Sequence, residues 1–217
     1  MDYQTARTNM VESQVRTNKV TDRAVIDALL AVPRERFVPA ALRGIAYVDE
    51  DLPLGQGRHL MEPMVLARLL QIAAPQPTDR LLVVACGTGY PCAIAARVAA
   101  RVVGIESVSA QARRARELVA ELGVGNVEIV EGPLADGAPD RGPFDVILLN
   151  GAVTEIPAAL KSQLADGGRL LAVIKRGIGL GQATLTDRLG DVYSGRILFD
   201  AATPLLPEFE PKESFVF

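Results

Sequence analysis

From position 80 onward the apolar residues fall into five short runs rich in leucine and β-branched side chains: Leu81–Ala85, Val102–Ile105, Val127–Val130, Phe144–Leu149 and Arg169–Ile174. Between most of them the apolar spacing switches to the helical period, clearest at 91–100 and 107–122 and shorter at 157–165. Strands that are apolar almost throughout, separated by helices, are expected where both faces of a parallel sheet are covered. The pattern therefore predicts an α/β fold built on a doubly wound, mostly parallel sheet. After Gly177 the runs at Ala183–Arg188, Val192–Phe199 and Ser214–Phe217 follow one another without helices, which predicts antiparallel strands at the C-terminal end.

The first third of the chain is patterned differently. Thr21 is placed to cap a helix carrying Val25, Ile26, Leu29 and Leu30, and Pro33 closes it. Val32–Pro39 and Leu52–Gly57 are rich in Pro, Gly and charge, as expected of ordered irregular chain that covers something. Pro63, suited to a first helical turn, opens a second helix with an apolar stripe of Val65, Leu66, Leu69, Leu70 and Ile72 that ends near Ala74-Pro75. The chain thus divides into an N-terminal helical and looped cap, 1–78, and a core, 79–217, which together make one compact unit.

Composition narrows the classes of function. A chain of 217 residues that is 49% hydrophobic buries a core without disulfide staples. Its net charge of −3, with basic residues scattered among acids, presents no face suited to phosphate backbones, so nucleic acid is not an expected partner. Cys86, Cys92 and the single His59 cannot complete a tetrahedral site, so no metal is expected. Two cysteines so close together indicate a reducing compartment. Neither a leader-like N-terminus nor an apolar stretch of bilayer length is present, so the expected setting is the cytoplasm, with no membrane partner.

The first core run passes through Ala85, Cys86, Gly87, Thr88, Gly89 and Tyr90 directly into a helix. Glycines there let the backbone approach a ligand, and the helix start offers free N–H groups. Such a loop is weak evidence alone, since Gly-x-Gly also makes ordinary tight turns. The second run, however, ends at Glu106, about twenty residues on, where a carboxylate can accept hydrogen bonds from both hydroxyls of a ribose. Loop and acid together predict a nucleoside cofactor at the carboxyl ends of adjacent strands.

Several stretches resemble the S-adenosylmethionine-dependent methyltransferases: L-L-V-V-A-C-G-T-G-Y at 81–90, V-G-I-E at 103–106, G-V-G-N-V at 123–127, P-F-D-V-I-L-L-N at 143–150 and L-A-D-G-G-R-L-L at 164–171. More narrowly, M-V-E-S-Q-V-R at 10–16, V-P-R-E-R-F-V-P at 32–39, A-Y at 46–47, L-P-L-G-Q-G at 52–57 and E-P-M-V-L-A at 62–67 resemble the protein-L-isoaspartate O-methyltransferases. The resemblance runs through nearly the whole chain in order. It implies a Rossmann-like methyltransferase sheet, S-adenosyl-L-methionine as cofactor, and methyl transfer to the α-carboxyl of isoaspartyl residues in damaged peptides or proteins, by a monomer or weak homodimer. It further implies a cofactor set of Ala85 to Tyr90, Glu106 and Ser107 at the sugar, Gly132, Pro133 and Leu134 against adenine, and Asn150. Because an ionised carboxylate needs no strong base, proximity and orientation would supply most of the rate.

Three positions depart from the family pattern. Met61 stands in place of a serine whose hydroxyl faces the transfer, and a thioether donates no hydrogen bond. His59 or Arg58 can replace it, Arg58 by gripping a carboxylate with two donors, although His59 reads equally as a solvated loop residue and Arg58 as a surface charge. At the cofactor, Val83 replaces an acid and Ala85 a glycine, which crowds the ligand if φ at 85 is positive. Pro133 replaces an acid over adenine, leaving Asp136 as a substitute or a turn former. Cys86 and Cys92 read as core fillers, and Tyr90 as cofactor wall or core, with the wall preferred. Two other readings use the same residues: a relative that binds cofactor without isoaspartyl activity, and a nicotinamide dehydrogenase, which leaves the N-terminal motifs unexplained.

Overall fold

The computed structural model describes residues 2–210; the expected strand at Ser214–Phe217 lies outside them. Seven strands form the main sheet: β3 (Arg80–Val84), β4 (Arg101–Glu106), β5 (Val127–Glu131), β6 (Phe144–Val153), β7 (Leu164–Ile174), β8 (Gly181–Leu189) and β9 (Val192–Ala201). Their order is β5-β4-β3-β6-β7-β8-β9, with the first five parallel and the last two antiparallel. The chain leaves β3 toward β4 and β5, then returns to lay β6 on the other side of β3. That reversal opens a crevice outside the carboxyl end of β3, the place where open α/β sheets take ligands.

Alternation along the strands divides the core into two layers. Leu81, Val83, Val146, Leu148, Leu171 and Val173 face a layer shared with α4 (Tyr90–Ala95), α5 (Ser109–Glu121) and the whole cap. Leu82, Val84, Ile147, Leu149, Leu170 and Ala172 face a thinner layer closed by Leu134, Leu160 of α6 (Ala158–Ser162) and Leu206. The expected helix at 157–165 is shorter than its apolar pattern: α6 ends at Ser162 and β7 already begins at Leu164.

In the cap, α2 (Arg23–Ala31) is capped by Asp22, whose carboxylate accepts from the Val25 N–H, one residue later than the expected cap at Thr21. Helix α3 (Pro63–Ala73) begins at the proline and ends on Ala74 in the left-handed region. Helix α1 (Tyr3–Met10), whose helical turns continue to Asn18, has no apolar period that announces it. Only Met10, Val11 and Val15 of those turns are buried, too few to show a stripe. The stretch Leu52–Gly57, expected to be irregular, instead belongs to a two-stranded hairpin, β1 (Leu52–Gly55) and β2 (Arg58–Leu60). Three residue pairs are too short a ladder for alternation to reveal, and Pro53 is tolerated because the hairpin is all edge.

Candidate active site

The loop from β3 into α4 turns through left-handed backbone at Ala85 (φ 60), Gly87 (φ 56) and Gly89 (φ 94). Ala85 is therefore strained in the sense its sequence position raised, since a Cβ in that region meets the following carbonyl. The loop is tied to the cap by Thr88, whose hydroxyl donates to the Phe37 carbonyl at 2.6 Å. Cys86 turns its side chain into the core, where a Cβ on Gly104 would lie 3.1 Å from its sulfur and 2.7 Å from that of Cys92. The Cys92 contact and burial push the Cys86 thiol well above its ordinary range, so it stays neutral and is a filler. Tyr90, read as cofactor wall or core with the wall preferred, packs against the cap. Its ring is fully buried, edge-on to Phe37 at 5.3 Å, with the Arg34 guanidinium 5.0 Å above it.

Glu106, at the carboxyl end of β4, is completely buried and already well provided with donors. Its Oε2 accepts from the Gly87 N–H at 2.8 Å; its Oε1 accepts from the N–H groups of Ser107 and Val108 at 2.9 and 3.0 Å and from Arg58 Nε at 2.9 Å. Arg58, read as a surface charge or an acceptor-side donor, is 1% exposed and reaches across the crevice to this acid. Its remaining nitrogens donate to the Ser107 hydroxyl at 2.8 Å and, as a fork, to both carboxylate oxygens of Glu208. Burial opposes the Arg58 charge, and Glu208 and Glu106 more than offset that, so the guanidinium stays protonated.

Glu208 sits on a helical turn, Pro207–Phe209, at the end of a strap that begins at Pro204. The strap lies against the end of β6: the Ala152 N–H donates to the Pro204 carbonyl and the Leu206 N–H to the Ala152 carbonyl, both at 2.9 Å. Two glycines make room for it. A Cβ on Gly57 would lie 2.3 Å from Pro207, and one on Gly151 would lie 2.5 Å from Leu206.

Beneath the strap remains a cavity of about 10 Å³ lined by Asp51, His59, Met61, Asn150 and Thr203, with room for one water molecule. Met61 is buried, and its carbonyl accepts from Arg34 at 2.8 Å. Asn150 donates to the Ala85 carbonyl at 2.9 Å, fixing its amide. Its Oδ1 and the Thr203 hydroxyl, both buried on this cavity, have no hydrogen-bond partner among the described residues. Asp49, Glu50, Asp51 and Glu62 lie close enough together to repel one another. Partial burial, then repulsion from Asp49 and Asp51, pushes the Glu62 carboxyl up to about 7.

The loop after β5 packs on the thin layer. Gly132 donates its N–H to the Glu106 carbonyl, Pro133 is exposed, and Leu134, expected against adenine, is buried in the thin layer. Asp136 is exposed in the turn that Leu134 begins, so it acts there as a turn former. Sequence reasoning missed Thr203 and the strap residues Leu206, Pro207 and Glu208, because a Pro-rich terminal stretch has no period that places it. Among the described residues no three His, Cys, Asp or Glu side chains could hold a metal, and no helix is long and apolar enough to cross a membrane.

The loop amides and Glu106 are chemically suited to the methionine and sugar of S-adenosylmethionine. The space is not. Arg58 holds the carboxylate that would receive the sugar, Glu208 holds Arg58 in place, and Glu106 is left with no exposed surface. In this arrangement the group is not accommodated.

The model of the protein-L-isoaspartate(D-aspartate) O-methyltransferase (PCMT) family matches residues 5–194. A protein-L-isoaspartate O-methyltransferase of Methylorubrum extorquens (strain PA1) is 41% identical over 195 residues, 90% of this chain and 85% of that protein. Among solved structures, a protein-L-isoaspartate O-methyltransferase superposes with a TM-score of 0.80 at 25% identity, over 92% of this chain and 65% of that one. A Plasmodium falciparum PCMT structure in complex with S-adenosyl-L-homocysteine gives 0.76 at 20% identity, over 96% and 99%, and shows the shared fold. With its sheet order, its glycine loop and Glu106 at the switch point, and a match that runs from the cap into β9, the chain belongs to the protein-L-isoaspartate(D-aspartate) O-methyltransferase family.

Proposed function

We propose that this chain is a cytoplasmic S-adenosylmethionine-dependent methyltransferase that esterifies the free α-carboxyl of isoaspartyl residues in damaged polypeptides, starting their repair. The observation that carries this reading is Glu106, buried and held by backbone amides at the switch point beside a glycine loop, in a chain that matches the family from 5 to 194. The proposed sugar and methionine contacts are Glu106, Ser107 and the loop 85–89. On the acceptor side we assign His59 and Met61, which line the small cavity, and Arg58, which is able to grip a carboxylate once released from Glu106. Thr203 supplies, on the same cavity, a hydroxyl of the kind Met61 lacks. The acceptor is a peptide or protein rather than nucleic acid or membrane, and the working form is a monomer or weak homodimer.

The test is an isoaspartyl peptide incubated with methyl-labelled cofactor. A base-labile methyl ester is expected, and its rate should fall at least tenfold in Thr203→Val. No ester above a blank, with S-adenosylhomocysteine binding established by calorimetry, removes the acceptor assignment. Restoring the hydroxyl with Met61→Ser then separates a sound scaffold, which gains activity, from one adapted to another acceptor, which does not.

A further inference from the structure

We propose that Pro204–Phe209 is an intramolecular plug, latched by Glu208 on Arg58, that occupies the nucleoside crevice and must be expelled before cofactor binds. This rests on the reading that the crevice takes S-adenosylmethionine. Three features converge. Arg58 donates to the carboxylate that a ribose would use, so a sugar and Arg58 compete for one oxygen. The fork from Arg58 to Glu208, with the Ser107 hydroxyl donating to the same carboxylate, binds the strap to that arginine and to the sugar acid's neighbour. Gly57 and Gly151 each leave a gap that strap side chains fill, Pro207 in one and Leu206 in the other, so the strap is fitted to the hairpin and to β6 together.

The attachment is of a kind that can open. Two main-chain hydrogen bonds to Ala152 and one from the Thr154 hydroxyl to the Phe209 carbonyl hold the strap, and Leu206 is its one deeply buried apolar side chain. Glu208 remains about one-third exposed, so water reaches the latch. Expulsion draws Glu208 away and frees Arg58 to leave Glu106, which keeps its three amide donors and gains a free site for hydroxyls. A ligand that binds only the open form has its affinity reduced by the fraction of molecules that are open.

Two measurements test this. Calorimetry with S-adenosylhomocysteine should show at least tenfold tighter binding to Glu208→Ala than to the unaltered chain, with near-ultraviolet circular dichroism unchanged. Hydrogen exchange on the unaltered chain should show residues 204–209 exchanging faster when S-adenosylhomocysteine is added, while residues 85–90 and 106–108 slow. A merely structural Glu208 would weaken binding when removed and would leave the strap equally or better protected. The proposal is overturned if the variant binds no more tightly, or if the strap gains protection on binding; in either case the functional reading stands. If neither form binds S-adenosylhomocysteine, plug and functional reading fall together.

Discussion

Ala85 occupies backbone that an alanine adopts at a cost of about 1–2 kcal/mol, whereas glycine there loses only its own extra chain entropy, about 0.5–1 kcal/mol. Ala85→Gly should therefore stabilise the protein by roughly 0.5–1 kcal/mol, seen as a higher urea midpoint at unchanged slope; a lower midpoint would mean that the buried methyl matters more than the strain. Glu62 yields a prediction with pH. Its carboxyl is pushed up to about 7 by partial burial first, then by Asp49, Asp51 and Glu50, with Arg34 opposing. A carboxyl whose folded pKa is raised contributes stability below its unfolded value that is lost as pH rises through the folded one. The melting temperature should thus decline between about pH 5 and pH 7.5, and in Glu62→Gln that decline should flatten. An equal decline in the variant would place the effect elsewhere. At this scale Glu106 and the glycine loop could be read from the sequence, because strand ends and spacing locate them. Arg58 could not: an arginine in a Gly-rich turn is normally solvated, and only the distant Glu208 and Glu106 make its burial tolerable.

Among the elements, strands and helices with long apolar patterns were legible and those held by a few long-range bonds were not. The five parallel strands and α2, α3, α4 and α5 lie where the period placed them, within a residue or two at most ends; α4 stops short of the expected 100, β6 runs on past Leu149 to Val153, and β7 starts at Leu164, ahead of the expected Arg169. The hairpin, α1 and the strap depend instead on partners far along the chain. Gln111 of α5 donates to the Leu54 carbonyl, and Arg7 of α1 donates to the Leu30 carbonyl. Arg34 is the clearest case. Fully buried, it donates from Nε to the Ala46 carbonyl at 2.7 Å and from a terminal nitrogen to the Met61 carbonyl, joining the loop before the hairpin to the segment after it. Arg34→Ala leaves two buried carbonyls unpaired and opens a cavity, so a loss of about 3 kcal/mol or more is expected from the urea midpoint. A loss under about 1 kcal/mol would show that the cap is held by its apolar contacts alone.

Over the whole molecule, the change of pattern near residue 79 does not coincide with a break in the buried core. Val65, Leu66, Leu69 and Leu70 of α3, with Val25 and Leu29 of α2, lie in the same buried cluster as Leu81, Val83, Val146, Leu148, Leu171 and Val173 of the sheet. Fully burying a side chain of this size contributes about 1.5–3 kcal/mol. Uncovering even half of those six sheet residues would therefore remove about 5–9 kcal/mol, comparable to the 5–15 kcal/mol that holds a typical domain folded. The two segments are thus expected to unfold as one: far-ultraviolet circular dichroism and the near-ultraviolet tyrosine signal should give coincident urea transitions in the full chain. Residues 79–217 produced alone should keep strand and helix content, lose the near-ultraviolet signal and bind a hydrophobic dye, the behaviour of a sheet with one face uncovered. A cooperative transition with native near-ultraviolet dichroism in that fragment would establish two domains. The cap would then be an independent module, not one face of the core.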